Sequence, residues 1–189
     1  CRGFRHVLTS AAGSIVRDST GREYIDFLAN AGALNYGHND PDLKAALIDY
    51  LLEDGITASL DLHTNVKADF LATFDQLILA PRGLDYRVQF TGPTGTNAVE
   101  AALKLARKVT GRTNVIAFTN AFHGVTAGSL AATASSHHRM GPEQGLHGIT
   151  RMPYEGFMGA GFDTSEYLHR MLHDPSSGID RPAAIILET

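Results

Sequence analysis

The chain has 189 residues, of which 43% are hydrophobic and 19% are charged, and its formal net charge is -4. This balance is ordinary for a soluble globular protein and excludes an intrinsically disordered chain. Lysine and arginine are scattered along the sequence rather than clustered, so neither a nucleic-acid backbone nor an anionic membrane surface is an expected partner. No apolar run approaches the roughly 20 residues that span a bilayer.

The two ends of the sequence each carry one expectation. The single cysteine, Cys1, allows no intrachain disulfide, which indicates a reducing compartment and predicts a cytoplasmic protein. Ala183–Thr189 has the apolar pattern of a buried strand of the parallel type. Because the sequence stops on that strand without a turn or cap, we expect the chain to be part of a longer protein.

The amino-terminal part predicts one hairpin and two helices. The turn Asp18–Gly21, which contains a glycine, lies between two short β-like runs and favours a hairpin. The apolar spacing of Pro41–Leu52 predicts a helix, with Asn39 or Asp40 as its N-cap. A second helix fits Thr64–Leu79.

In the later part of the chain, three short apolar strands alternate with helical segments. The strands are predicted at Val88–Thr91, Val115–Phe118 and Ala184–Leu187. Such alternation is typical of an α/β fold with a parallel sheet and crossover helices. We place a domain boundary near residue 60, which separates an amino-terminal segment, 1–60, from an α/β part, 61–189.

The glycine-rich segment Gly92–Asn97 lies between the first of these strands and a helix predicted over Ala98–Thr110. Thr94 or Thr96 is the expected N-cap. A glycine-rich turn that leads into a helix exposes backbone N–H groups beside the positive end of the helix dipole, which suits an anion such as phosphate. Gly95 lets the backbone approach such an anion closely, and the threonine hydroxyls add hydrogen bonds.

An alternative interpretation has equal weight on this local pattern. The threonines only cap the helix, and the glycines only form a tight turn between strand and helix. Two familiar phosphate loops are excluded: the segment lacks the Gly-Lys-Ser/Thr of a nucleotide P-loop, and the G-x-G-x-x-G spacing is absent.

The exit of the next strand carries a second candidate feature. Phe122, His123 and Gly124 follow the predicted strand Val115–Phe118, at the carboxyl end where α/β sheets bind ligands. An aromatic ring at this place can stack on a flat ligand ring whose phosphate is held by the glycine-rich turn. Taken alone, Phe122 favours core packing, because most aromatic side chains are buried.

Three segments together resemble the class III aminotransferases. They are Thr94–Arg107, Ala121–Gly124 and Asn35–Pro41, and the resemblance extends over essentially the whole chain. It implies the fold type I architecture of pyridoxal-phosphate (PLP) enzymes, with a large domain built on a mostly parallel sheet and a small domain to which residues 1–60 contribute. The chain resembles the amino-terminal half of that fold.

The resemblance also implies a set of cofactor-binding residues. Gly95 and Thr96 would bind the phosphate, Phe122 would stack on the pyridine ring, and Glu188 takes the place of the acidic residue that ends a strand beside the cofactor. For His123, a structural hydrogen bond and a catalytic role stay open. The full implied set is Thr94, Gly95, Thr96, Phe122, His123 and Glu188.

One departure from the family pattern bears on the substrate. Relatives acting on ornithine, acetylornithine or 4-aminobutyrate commonly have an arginine directly after the His-Gly pair, whereas this chain has Val125. An uncharged side chain cannot clamp a substrate carboxylate. The departure favours the branch that forms L-2,4-diaminobutyrate from L-aspartate 4-semialdehyde and L-glutamate for ectoine synthesis. Alternatives are a diaminobutyrate enzyme for diaminopropane or siderophores, another ω-aminotransferase, or a noncatalytic phosphate-binding module.

The lysine that forms the Schiff base and the aspartate that holds the pyridine nitrogen have no match in the chain. The four lysines, Lys44, Lys67, Lys104 and Lys108, belong to predicted helices. The catalytic lysine is therefore expected beyond Thr189, and the chain alone is expected to be inactive. The resemblance further implies a homodimer or a higher homo-oligomer.

Two histidine pairs invite a metal interpretation that the sequence does not favour. His137 and His138 are adjacent, and His169 and His173 are four residues apart. Neither pair has further ligands at metal spacing, and His-Glu-x-x-His is absent. We therefore expect no metal site and assign these side chains to solvated positions.

Overall fold

The computed structural model describes residues 5–141 and 145–189, so Cys1, on which the compartment prediction depends, lies outside the described residues. The chain divides into two compact units, one that ends at Tyr86 and one from Arg87 to Thr189. The predicted assignment of residues 1–60 to a small domain and of 61–189 to a large domain stays a prediction.

The first unit contains a three-stranded antiparallel sheet. Its strands, in both chain order and spatial order, are β1 Leu8–Ala12, β2 Ile15–Asp18 and β3 Glu23–Ile25. β2 and β3 pair antiparallel across the segment Asp18–Gly21. The predicted hairpin is therefore confirmed.

The turn of this hairpin is organised by a buried carboxylate. Asp18 is only 3% exposed, and its Oδ1 accepts hydrogen bonds from the Thr20 hydroxyl at 2.6 Å, the Thr20 N–H and the Arg22 N–H. Its Oδ2 accepts from the Tyr24 hydroxyl at 2.8 Å. The hydrogen bonds from Thr20 and Tyr24 hold the pKa of Asp18 well below its ordinary range. We refer to Asp18, Thr20, Arg22 and Tyr24 as the Asp18 cluster.

The helices of the first unit begin where polar caps allow. Asp40 accepts hydrogen bonds from the N–H groups of the first turn of α2, and the Thr64 hydroxyl accepts one from Lys67 in α3. Both predicted helices are confirmed, and the second continues as a π-helical and then a 3₁₀ segment. The elements are α1 Ala29–Gly32, α2 Pro41–Leu52, α3 Asn65–Phe74, the π-helix Asp75–Leu79 and the 3₁₀ helix Ala80–Arg82.

The second unit is built on a three-stranded parallel sheet of spatial order β5-β4-β6. Helices connect its strands, as predicted for a parallel sheet. The strands are β4 Val115–Phe118, β5 Ile149–Met152 and β6 Ala184–Ile185, and the helices are α4 Gly95–Thr110, α5 Ala127–Ala132, α6 Ser136–Arg139 and α7 Thr164–His173.

The core of this unit lies around β4. All four residues of β4 are buried, which is typical of a central parallel strand. Ile116 and Phe118 pack with Met152 of β5 in a cluster that α7 covers. The side chains of α7 in contact with this cluster are Tyr167, Leu168, Met171 and Leu172.

Two strand predictions require correction. No strand is assigned over residues 88–91, and this segment is part of neither of the sheets in the described chain. β6 contains only Ala184 and Ile185, and Ile185 and Leu187 are 44% and 50% exposed, so the expected buried strand is wrong for these side chains. An apolar run supplies the side chains of a strand, but a strand also needs a hydrogen-bonded neighbour along its length.

Candidate functional site

The start of α4 provides the first part of the candidate site. The helix begins at Gly95, three residues before the predicted start at Ala98, because Thr94 is its N-cap and its hydroxyl accepts a hydrogen bond from Asn97 N–H at 3.4 Å. Gly95 and Thr96 therefore belong to the first turn, whose N–H groups have no intrahelical acceptor. A Cβ added at Gly95 would have nothing within 4 Å, so the space in front of this turn is open.

The loop after β4 provides the second part. Phe122 is 47% exposed, and its ring meets the edge of the His138 ring with the centroids 4.8 Å apart. The alternative that Phe122 is a core residue is therefore wrong for this chain. Ala121 is buried and its carbonyl accepts a hydrogen bond from Ala134 N–H at 2.8 Å, which fixes the loop just before the aromatic ring.

Glu188 reaches the same loop from the segment after β6. Its Oε2 accepts a hydrogen bond from the Phe122 N–H at 2.9 Å. The ends of two neighbouring parallel strands therefore meet at the backbone of Phe122, at the edge of the sheet where ligands of α/β proteins bind.

His123 is held by its backbone, and its ring is left with one buried nitrogen. The His123 N–H donates to the Thr133 hydroxyl at 2.9 Å. Nε2 is buried and has no hydrogen-bond partner among the described residues. Burial lowers the pKa of His123, a change that the nearby Glu188 opposes and that Arg151 reinforces. The ring is accordingly neutral at physiological pH.

Gly124 joins the two parts of the site. Its φ is +127°, and an added Cβ would contact Thr96 Oγ1 and lie 2.7 Å from Ser129 Oγ. Any side chain at this position would therefore separate the loop from the first turn of α4. The predicted residues Gly95, Thr96, Phe122, His123 and Glu188 thus lie on connected segments, while the Thr94 hydroxyl is used as a helix cap.

Several residues that shape the site were not predicted from the sequence. Thr126 and Ser129 contact the Thr96 hydroxyl at 2.8 and 2.5 Å, and Glu100 accepts hydrogen bonds from the start of α5. Glu100 lies four residues before Lys104, a spacing that fits an ordinary pair along the surface of α4. The hydroxyl residues Thr126 and Ser129 that follow the His-Gly pair are the signal that could have indicated this contact.

Arg151 of β5 supports the loop from below. Its guanidinium donates to the carbonyls of Phe118 at 3.1 Å, Ala132 at 2.9 Å and Ala131 at 2.8 Å, and also to that of Thr133. It therefore ties the end of β4 to the last turn of α5, from which Thr133 holds His123.

The histidine pairs lie outside this site or at its margin. His173 Nδ1 contacts the His169 carbonyl at 2.8 Å, and the two rings stack with their centroids 4.1 Å apart. Among the described residues, no group of three or more histidine, cysteine, aspartate and glutamate side chains is arranged to hold a metal ion. In the same part of the chain, the helices are too short or too polar to cross a membrane.

Comparison with known proteins identifies the family. The family model for class-III aminotransferases matches residues 2–189. The chain belongs to the class-III aminotransferases. The predicted family is therefore confirmed.

Two similar curated proteins carry the same name. The diaminobutyrate--2-oxoglutarate transaminase of Halalkalibacterium halodurans is 56% identical over 189 residues, which is 100% of this chain and 44% of that protein. The enzyme of the same name from Vibrio parahaemolyticus is 58% identical over 186 residues, or 98% of this chain and 44% of that protein. The chain thus spans less than half the length of the curated relatives it matches.

Solved aminotransferase structures share the fold. The ornithine aminotransferase of Toxoplasma gondii matches with a TM-score of 0.73 and 25% identity, over 99% of this chain and 42% of that one. A PLP-bound amine transaminase from an uncultivated Pseudomonas species matches with a TM-score of 0.77 and 23% identity, over 98% of this chain and 45% of that one. The expected fold type I architecture is confirmed, and the chain covers less than half the length of either solved structure.

Proposed function

We propose that the full-length protein containing this chain is a PLP-dependent aminotransferase that forms L-2,4-diaminobutyrate and 2-oxoglutarate from L-aspartate 4-semialdehyde and L-glutamate. The observation that carries the proposal is the close approach at Gly124, which brings an exposed aromatic ring and the open first turn of α4 into one site. The names of the relatives support the choice of substrates.

The residues present fit PLP. Its phosphate matches the open space before Gly95, where the N–H groups of Gly95 and Thr96 lie at the positive end of a 16-residue helix. The exposed ring of Phe122 offers a stacking face for the pyridine, and the hydrogen bond from its N–H to Glu188 fixes the backbone that carries the ring. When bound, PLP supplies the electron sink for the reaction.

The chain's own residues therefore bind and orient rather than transfer protons. His123 is neutral, its N–H is anchored on Thr133, and we assign it a structural role beside the ring. The lysines lie on helices, Lys44 on α2, Lys67 on α3, and Lys104 and Lys108 on α4. We place the catalytic lysine and the aspartate for the pyridine nitrogen in the remainder of the protein, so this chain alone is expected to be inactive.

Substrate choice rests on Val125. Its side chain is 57% exposed directly after the His-Gly pair and offers no charge to a substrate carboxylate, where relatives acting on ornithine or 4-aminobutyrate commonly have an arginine. This favours diaminobutyrate over ornithine or 4-aminobutyrate. We further propose a role in ectoine synthesis, a homodimeric or higher assembly, and a cytoplasmic location, the last on the single cysteine of the sequence.

The test is the absorption spectrum of the full-length protein, before and after addition of L-2,4-diaminobutyrate. We expect the visible band of the bound cofactor to disappear with this amine and to persist with ornithine or 4-aminobutyrate. Bleaching by the control amines alone would favour another ω-aminotransferase, and a protein without a cofactor band would favour a noncatalytic phosphate-binding module.

A variant pair links the spectrum to the site. Phe122→Leu removes the proposed stacking face and is expected to weaken PLP binding by about 1–2 kcal/mol, the usual worth of an aromatic stacking contact. Phe27→Leu changes a ring that is 91% exposed in the first unit and serves as the control. Equal PLP affinity in both variants would contradict the stacking role of Phe122.

A further inference from the structure

The start of α5 is capped by a carboxylate from another helix. Glu100 of α4 uses one oxygen, Oε1, to accept hydrogen bonds from Gly128 N–H at 2.7 Å and Ser129 N–H at 3.0 Å. Thr126 occupies the N-cap position of α5, but its side chain makes no capping bond. An N-cap hydroxyl ordinarily accepts from one of these N–H groups. Glu100 takes over that task and leaves the Thr126 hydroxyl available for another contact.

The released hydroxyl turns toward the first turn of α4. Thr126 Oγ1 lies 2.6 Å from Glu100 Oε1 and 2.8 Å from Thr96 Oγ1. Because an ionised carboxylate only accepts hydrogen bonds, Thr126 donates its proton to Glu100 and can only accept from Thr96. Thr96 Oγ1 is also 2.5 Å from Ser129 Oγ. The charge on Glu100 therefore sets the direction of hydrogen bonding up to Thr96.

The state of the carboxylate and its packing both support this arrangement. Burial alone would raise the pKa of Glu100, but the hydrogen bonds from Thr126, Ser129 and Gly128 lower it overall, so the group is ionised at neutral pH. A Cβ added at Gly128 would contact Glu100 Oε2, which shows how closely α5 is held against α4. We refer to Glu100, Thr96, Thr126, Gly128 and Ser129 as the Glu100 cluster.

We propose that Glu100 is a positioning residue for the phosphate-binding turn: by capping α5 and holding the Thr126 hydroxyl, it fixes Thr96 in the first turn of α4. In this role Glu100 acts through Thr126 and the start of α5. The inference rests on the proposed function, because it assigns the turn at Gly95 and Thr96 to the cofactor phosphate.

The test compares two ligands that differ only in the phosphate. The dissociation constants of PLP and of pyridoxal are measured by absorbance for the full-length protein and for its Glu100→Ala variant. We expect the variant to bind PLP about tenfold more weakly, the effect of roughly one hydrogen bond to a charged group, with pyridoxal affinity unchanged. Glu100→Gln keeps an acceptor oxygen and is expected to restore most of the PLP affinity.

Two further variants keep the test decisive. Glu166→Ala removes a carboxylate that pairs only on the surface of α7, with Arg170 at 2.7 Å, and should leave both affinities unchanged. Thr126→Val keeps the shape of the residue and removes the hydroxyl, so it should weaken PLP alone even if Glu100→Ala fails to fold.

The outcomes separate the two proposals. Selective weakening of PLP in Glu100→Ala or Thr126→Val supports the positioning role. Equal weakening of PLP and pyridoxal, or no weakening in variants that fold, overturns the inference while leaving the aminotransferase function in place. A wild-type protein that binds neither ligand overturns the proposed function, and the inference with it.

Discussion

The Asp18 cluster and the Glu100 cluster are both organised by one carboxylate, but they join residues that lie at different distances along the chain. In both, one carboxylate gathers hydrogen bonds from a hydroxyl and from backbone N–H groups. Asp18 collects its donors from Thr20, Arg22 and Tyr24, within the next six residues. Glu100 collects them from Thr126, Gly128 and Ser129, beyond a whole strand and loop.

This difference has a structural consequence. The Asp18 cluster closes a local turn of the hairpin, and the one further side chain that reaches its carboxylate among the described residues is His6, whose Nδ1 lies 3.3 Å from Asp18 Oδ2. The hydrogen bonds of the Glu100 cluster can form only when α4 and α5 are packed together. The cluster therefore forms together with the candidate site. We therefore expect changes that separate α4 from α5 to affect cofactor binding, and changes at the hairpin to affect stability alone.

The largest effect is expected where the two helices approach each other. Gly124→Ala would place a Cβ against Thr96 Oγ1 and Ser129 Oγ at a backbone φ of +127°. We expect the full-length variant to lose most of its bound PLP, measured as the cofactor absorbance per protein chain. Gly111→Ala is the control, because Gly111 has a φ of +69° but open space around it, and the strain should cost about 1 kcal/mol. The same cofactor content in both variants would contradict this interpretation.

A smaller effect is expected beneath the loop. Arg151→Met removes donors from four carbonyl groups, including that of Thr133, and should lower the free energy of unfolding by about 2–3 kcal/mol, since some of these carbonyls stay buried. Urea unfolding of the full-length protein measures the loss. Arg170→Met in α7 breaks only an exposed pair with Glu166 and should cost no more than about 0.5 kcal/mol. Similar midpoints for the two variants would show that Arg151 does not hold the loop.

The Asp18 cluster should respond to pH. Its carboxyl pKa is depressed from an ordinary 3.8, so its stabilising effect is present above pH 3.8 and is lost as pH falls through the lower folded-state pKa. We expect the melting temperature of the wild type to fall more steeply below pH 3.8 than that of Asp18→Asn. Asp49→Asn, which changes an exposed carboxylate of α2, should follow the wild type. Parallel curves of melting temperature against pH for all three proteins would rule out this role of Asp18. The affinity for PLP should be the same in the wild type and in both variants.

The smallest effect is expected on the surface of the same hairpin. Arg17 and Glu23 form a cross-strand pair at 2.6 Å, but both side chains are 54% exposed. Arg17→Ala should change the free energy of unfolding by only about 0.2–0.5 kcal/mol, because water screens the pair. A loss as large as that of Arg151→Met would mean that local surface contacts matter as much as the long-range ones.

The hairpin that holds the Asp18 cluster could be predicted from the sequence, since the signals for it lie within a few residues, whereas the burial of Asp18 was not predicted. The turn Asp18–Gly21 and the cap of α2 at Asp40 are both short-range patterns, and both are confirmed. The same holds for Thr94, whose place before a glycine and a helix made it a candidate cap.

The long-range features could not be derived in this way. Glu100 has the spacing of an ordinary surface pair on α4, and nothing within its helix points to α5. The prediction of a strand at Val88–Thr91 was wrong for the same reason. An apolar pattern gives the character of the side chains, but it does not show whether a neighbouring strand is present to pair with. Phe122 was a candidate from its place after a strand and Glu188 came only from the family resemblance, and their hydrogen bond became visible only in the folded chain.

The position of β4 between β5 and β6 also affects how the protein is made. β4 is synthesised first, and both of its partners in the sheet come later along the chain. At about 5–20 residues per second, the apolar strand Val115–Phe118 leaves the ribosome seconds before β5 and then β6 can cover its two edges. During that interval both edges of the strand are unpaired, and an unpaired apolar strand edge can associate with other chains.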